Sequence, residues 1–437
     1  MNPAYQHTDK EKFLNSYGAF ASRHELMDSP LNTLAIRKFE ELGFPTTKHE
    51  EWKYTNVSPI LKNRFALSTG KSRLKREDIL PFLLTGKDSI LLVFENGFLN
   101  RELSLIENLP QGVIIDSLAS SRNHDVVKQH LGKYAPMKQE SFVALNTAFI
   151  FDGAFIYLPV NAVVERPIHL LYVNDSREEA TVVYPRNLVV AEKNSSLKIA
   201  CTYHTIGNIN SAFTNSVSEI VTGANANVEF VKVQTENDNT YHISHTEVMQ
   251  ERDSVFNIST ITLGGNIVRN NLHIVLNDVN CTSHLYGLYI TDGNELVDNH
   301  TLVDHAKPNC ESNELYKGVL GGKSSGVFNG KVFVRQDAQK TNAYQSNKNI
   351  LLSDEATMNT KPQLEIFADD VKCSHGATTG QLDSEALFYL RSRGIGEKEA
   401  KAFLNIAFAA DVIKNISLEP LRDRLMPLIE RKLKQGD

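Results

Sequence analysis

Between about residue 155 and residue 380 the apolar positions gather in short runs, HLLYV, TVVY, NLVVA, VEFVKV, FNISTITL and LHIVL among them. Branched and aromatic residues dominate these runs, a composition that predicts strands. Turn residues punctuate them fairly evenly: Asn174-Asp175, Lys193-Asn194, Gly207-Asn208, Gly223-Ala224-Asn225, Asn237-Asp238, Arg252-Asp253, Gly264-Gly265, Asn277-Asp278 and Asp292-Gly293. The steps are mostly about 12–16 residues, as expected for strands joined by turns. More than two hundred residues of this pattern is long for a sandwich. A β-solenoid accommodates any length, because each coil packs only on its neighbours. The strand pattern alone leaves a large antiparallel sandwich or a propeller open.

The flanks follow other periods. Ser29 and Pro30 read as the N-cap and first residue of a helix, with Leu31, Leu34, Ala35 and Leu42 near one face and Gly43 and Pro45 at its end. In SILLVFENGFL, Asn96-Gly97 between apolar runs predicts a hairpin. Near the other terminus, Ala400, Phe403, Leu404, Ala407 and Phe408 have helical spacing, after a break at Gly394 and Gly396. Ser417 is placed to cap a further helix with Pro420 in its first turn and Leu421, Leu425, Leu428 and Ile429 as its stripe. The expected organisation is a mixed α+β region over 1–154, a β core over 155–382 and a helical unit over 383–437.

Of the 437 residues, 41% are hydrophobic and 22% charged, enough for a packed core. A net charge of −6 suggests neither a nucleic-acid nor a membrane-surface protein. No run of about 18 apolar residues is present, and MNPAYQHTDKEKF lacks the apolar core of a secretory signal. The expectation is a soluble protein of a reducing compartment, the cytoplasm. Cys201, Cys281, Cys310 and Cys373 are far apart with no CxxC pair, so neither a dense disulfide framework nor a local cluster-binding motif is present.

The segment LEIFADDVKCSHGATTG, residues 364–380, carries the most chemistry. Read as one strand, it puts Leu364, Ile366 and Ala368 on one face and Phe367, Asp369, Val371, Cys373 and His375 on the other. A thiol and an imidazole two apart suit iron or zinc. Two ligands do not complete a tetrahedral site, so the spacing alone equally describes a buried cysteine beside a hydrogen-bonded histidine. Asp369 and Asp370 point to opposite faces and make a poor acid–base pair; a polysaccharide-active β-helix would need carboxylates on neighbouring coils. Gly322-Lys323-Ser324 imitates a Walker A ending, but Lys317 stands where the first glycine belongs, so these glycines are assigned to turns and close packing. His300, His305 and Cys310, and His242 with His245, match no metal-binding spacing; the latter pair should face opposite sides of a strand. There is no GxSxG element.

Residues 316–395, YKGVLGGKSSGVFNGKVFVRQDAQKTNAYQSNKNILLSDEATMNTKPQLEIFADDVKCSHGATTGQLDSEALFYLRSRGI, resemble the core of the SufB/SufD family, the scaffold subunits of the Suf iron–sulfur cluster assembly machinery. EEWKYTN, residues 50–56, is similar to an element of the SufD branch, as is Gly376 after His375, where SufB has a glutamate. The resemblance covers most of the chain. It implies a right-handed parallel β-helix core with flanking helical regions. It implies a SufB-like partner, a SufC-like ABC ATPase docked on the C-terminal helices (about 384–433), and no catalysis or ATP site in this chain. A homodimer is the alternative for the isolated chain. It implies that His375, with Cys373 beside it in the same motif, meets iron or a transient iron–sulfur cluster at the SufB interface. None of Cys201, Cys281 or Cys310 matches a sulfur-accepting cysteine of SufB. Family complexes are linked to a reduced flavin, for which the chain has no motif. Without the resemblance, a polysaccharide-active enzyme or a purely structural solenoid would also fit.

Overall fold

The structure is a computed structural model that describes residues 3–23, 30–68, 73–83 and 88–435. Its body is a two-sheet parallel solenoid. From Ile168–Asp175 to Val371–Gly380 the chain alternates between an eleven-stranded and a ten-stranded sheet, and within each sheet the coils pair in parallel. Ile267 pairs with Leu296 and Leu296 with Ser325, a period of 29 residues, so two strands and two corners make one coil. The predicted runs lie in these strands, and their parallel pairing excludes the sandwich and the propeller.

One corner shows how the sequence builds the rod. Asn161, Asn194, Asn225, Asp253, Asn280 and Asn309 all have left-handed backbone, at φ between 57° and 65°. Asn and Asp tolerate this region because their short side chains bond locally. Here they also bond each other: Asn194 Nδ2 donates to Asn161 (2.7 Å), Asn225 Nδ2 to Asn194 (3.0 Å) and Asn280 Nδ2 to Asp253 (2.9 Å). A ladder of turns thus repeats once per coil. Asn174-Asp175 is an exception. It is not a turn but the buried end of a strand, where Asp175 grips Arg177 and Asn174 accepts from Thr181.

Inward side chains from both sheets form one continuous core from Ile90 to Ala356. The outer faces are covered as well. The N-terminal region packs Phe39, Trp52 and Phe142 on Phe213, Val217 and Ile243 of the eleven-stranded sheet. Two C-terminal helices, Glu397–Ile413 and Glu419–Gln435, pack on Ala200, Val231, Ile261 and Val319 of the ten-stranded sheet.

Details of the flanks differ from the pattern reading. Helix Pro30–Leu42 buries Asn32, Ala35 and Phe39, whereas Leu34 and Leu42 are exposed. Asn32 turns inward because its amide donates to the carbonyls of Thr147 and Ala148, both at 3.0 Å. The predicted cap Ser29 lies outside the described residues. Gly43 ends this helix with φ 63°, and Asn96-Gly97 forms the expected hairpin. In Glu397–Ile413 the buried face is Ala402, Asn405, Ala409 and Val412, with Ala400, while Phe403 and Ala407 face outward. Ser417 does not cap: its hydroxyl donates to Glu229 on the rod, and the helix starts at Glu419 with Leu421, Leu425 and Ile429 buried.

Candidate metal centre at the end of the rod

The segment 364–380 is two strands rather than one. Thr357–Ile366 ends the eleven-stranded sheet, Val371–Gly380 ends the ten-stranded sheet, and residues 367–370 turn the corner between them. The corner is held by the preceding coil: the Asp370 N–H donates to Gln339 Oε1 (2.9 Å), and the Lys340 N–H donates to the Asp370 carbonyl (2.6 Å). The predicted alternation therefore breaks at the turn. Leu364 and Cys373, assigned to opposite faces, both pack from facing sheets onto Val332, Val334 and Ala343. Asp369 and Asp370 lie exposed in the corner.

Val371–Gly380 is bonded along one edge only, to Thr341–Leu351, with Cys373 beside Ala343 and His375 beside Gln345. Strand alternation puts His375 on the inward face with Cys373. No coil follows, so this face is open: His375 is exposed and Cys373 half-buried. Burial raises the Cys373 thiol above its ordinary value, so binding a metal requires it to lose a proton. Among the described residues, no three or more His, Cys, Asp and Glu side chains are grouped to hold a metal. This pair is thus at most part of a ligand set.

The remaining candidates are scattered. Cys201 is sealed in the core, where burial pushes its thiol up to about 12. Beside it in register, Lys232 donates to Ser244 Oγ (2.5 Å) and Asn270 Oδ1 (2.8 Å) and is pushed down to about 7 by burial. Cys281 and Cys310 are brought together one coil apart, both thiols 3.2 Å from the Asp278 carbonyl that accepts from them. They follow Asn280 and Asn309 of the turn ladder, in the small buried position that Ser195 and Ser254 fill in earlier coils. Their place is structural. His242 points inward to Ser216 and Glu236, His245 outward to Glu247, on opposite faces as expected. His300 pairs with Asp298 and Glu51, His305 with Ser312, and neither meets Cys310. Gly322 has φ 55°, and a Cβ on Gly318 would sit 2.3 Å from the Tyr289 ring, so these glycines serve a turn and close packing.

The EEWKYTN element crosses the outer face of the eleven-stranded sheet. Trp52 stacks on the Arg269 guanidinium at 3.8 Å, and Arg269 donates to the Glu51 carbonyl (2.6 Å) and to Asp298 (2.7 Å). Thr55 donates to Asp298, Asn329 to Glu51 (3.1 Å) and Lys361 to Glu50 (2.8 Å). Four successive coils are tied by seven residues of sequence. Pattern reading missed two further residues, Glu314 and Gln345, which precede His375 in its inward column. Only the coil period could have revealed them.

Comparison with known proteins places the chain in one family. Residues 172–408 match the family described as SUF system FeS cluster assembly, SufBD core domain, and residues 18–170 match the SufBD protein N-terminal region. An iron–sulfur cluster assembly SufBD family protein of Synechocystis sp. is 35% identical over 394 residues, covering 88% of this chain and 86% of that protein. The iron–sulfur cluster assembly protein SufD of Escherichia coli is 31% identical over 433 residues, covering 97% and 98%. SufD of Bacillus subtilis is 28% identical over 423 residues, covering 92% and 93%.

Proposed function

Because the chain belongs to the SufBD family of iron–sulfur cluster assembly proteins, we propose that it is a non-catalytic SufD-like scaffold whose His375 meets iron or a nascent cluster at a junction with a SufB-like subunit. One observation carries this reading: a thiol and an imidazole share the open inward face of a strand with a free edge. Free strand edges invite pairing with another chain. Around them Phe367 is 60% exposed and Tyr344 46%, apolar surface that a sister subunit would cover. A SufB-like chain would bring the missing ligands; a second copy of this chain is the alternative partner when it is isolated.

The C-terminal helices would receive the SufC-like ATPase. Ser384–Ser392 has no buried residue and follows the site strand after three residues. It presents Phe388, 74% exposed, and Tyr389 beside a cleft that reaches Leu404, with exposed Phe403 on the next helix. The other two helices are bolted to the rod. Lys317 pairs with Asp411 (2.7 Å) and lies over the Phe408 ring, and Lys432 pairs with Glu295 (2.7 Å). Movement of a docked ATPase would thus reach the rod and the junction. No helix of the described residues is long and apolar enough to cross a membrane, and we place the complex in the cytoplasm.

The test is a His375→Ala chain co-expressed with SufB-like and SufC-like partners under anaerobic conditions. The complex should assemble with its ATPase while cluster build-up, followed by visible absorbance and iron content, is lost. Clusters formed at the unaltered rate, or an ATPase that no longer binds, would overturn the reading.

A further inference from the structure

The residues that follow the left-handed corner positions form a column of small, buried side chains: Ser195, Ala226, Ser254, Cys281, Cys310 and Thr341. Where this position carries a hydroxyl, the group closes its own turn. Ser195 Oγ donates to the Glu192 carbonyl (2.6 Å), Ser254 Oγ to Glu251 (2.5 Å) and Thr341 Oγ1 to Ala338 (2.9 Å), each three residues back. Serine thus serves the corner fully, and packing there does not require a thiol.

The two cysteines bond differently. Cys281 Sγ lies between two carbonyls, Asp278 of its own turn (3.2 Å) and Glu251 of the preceding coil (3.1 Å). Cys310 Sγ reaches back to Asp278 (3.2 Å), so one carbonyl is shared by both thiols. The Glu311 N–H donates to the Cys281 carbonyl (2.9 Å), which sets the two residues side by side on adjacent coils. Neighbouring strands lie about 4.8 Å apart, inside the Cα separation of roughly 4.4–6.8 Å that a disulfide spans. The thiols are also hydrogen-bonded to each other. The Cys310 S–H holds the Cys281 thiol below its ordinary value, with help from Ser254 Oγ, while the same bond raises Cys310. One member of the pair is therefore the better thiolate and the other is placed to resolve it. Both are buried, but Asn280 and Asn309, the residues before them, are exposed. A single layer of corner residues separates the sulfurs from water, and local opening of a corner admits a small oxidant.

We propose that Cys281 and Cys310 form a dithiol modification site, which a peroxide converts into a disulfide stapling two coils of the rod at their corner. The Cys281 thiolate attacks one peroxide oxygen, the O–O bond breaks, and the leaving oxygen departs as water after taking a proton. Cys281 is then a sulfenic acid. Cys310 attacks its sulfur, the S–O bond breaks, and a second water leaves as the S–S bond forms. Two thiols and one hydrogen peroxide give one disulfide and two waters. The inference does not draw on the function proposed for His375.

The experiment treats the native full chain with hydrogen peroxide, alkylates the remaining thiols during unfolding and maps peptides without reduction. A Cys281–Cys310 cross-link is expected, reversed by dithiothreitol. Cys281→Ser should slow oxidation of Cys310 roughly tenfold or more. Cys310→Ser should leave Cys281 as a sulfenic acid that dimedone traps. Both variants should fold, since Ser195 and Ser254 already occupy the equivalent corner. Complete alkylation of both cysteines after excess peroxide, or a cross-link that forms only in urea, overturns the inference whatever His375 does in cluster assembly.

Discussion

Two strands of similar length show what separates the middle of this rod from its end. Ala212–Thr222, in the middle, is buried at every position, because the next coils flank it, the core lies within and the N-terminal region covers its outer face. Val371–Gly380, at the end, has a neighbour on one edge only and is exposed over most of its length. Both follow the same alternation and the same parallel pairing. In the middle, polar groups can only be spent on internal bonds such as Arg186–Glu219. At the end, the inward face itself becomes a surface, and side chains that would be core residues elsewhere lie open.

The sharpest break of this comparison is Arg186→Met. It removes the one cation paired with the buried Glu219 carboxylate, which keeps only its N–H donors, and a loss of about 3–5 kcal/mol is expected in urea unfolding. Smaller and pH-dependent is Glu314→Gln. The folded-state value of Glu314, about 7, exceeds the ordinary 4.5, so the native chain holds the proton longer than the unfolded one. Its stability is fully present below pH 4.5 and is lost as pH rises to 7. The substitution should remove a loss of about 3 kcal/mol between pH 5 and pH 8, read by urea unfolding at the two values. Gly318→Ala drives a Cβ into the Tyr289 ring and should cost about 1–3 kcal/mol of thermal stability. At the end of the rod, His375→Ala should change unfolding by less than about 0.5 kcal/mol while abolishing cluster build-up. A His375→Ala chain destabilised as strongly as Arg186→Met would erase the distinction between the two regions.

Much of this was legible in the chain. Asn194, Asn225 and Asp253 were among the turn residues read from the chain, and each supplies the same left-handed corner; Asn280 and Asn309, which continue the series, were not singled out. Asn96-Gly97 fixed its hairpin by the same local chemistry. Helix faces read less well: Phe403, placed in the apolar stripe, is exposed, while Asn405, outside that stripe, is buried. Cys373 and His375 were found as a pair, yet their strand was read through the corner at 367–370, since alternation persists in sequence even where the backbone changes sheets. Glu314 and Gln345 carried no signal, being separated by a whole coil.

By itself the sequence determined the strand-forming runs, the corners, the helical ends and the presence of a thiol and an imidazole on one face. These are local matters, decided by backbone preferences and side-chain period over a few residues. Tertiary structure alone decided which faces are covered, which coil is last, and therefore that His375 is open while Glu314, in the same column, is enclosed. Burial is a property of everything packed around a residue, and in a solenoid those neighbours stand a full coil away along the chain.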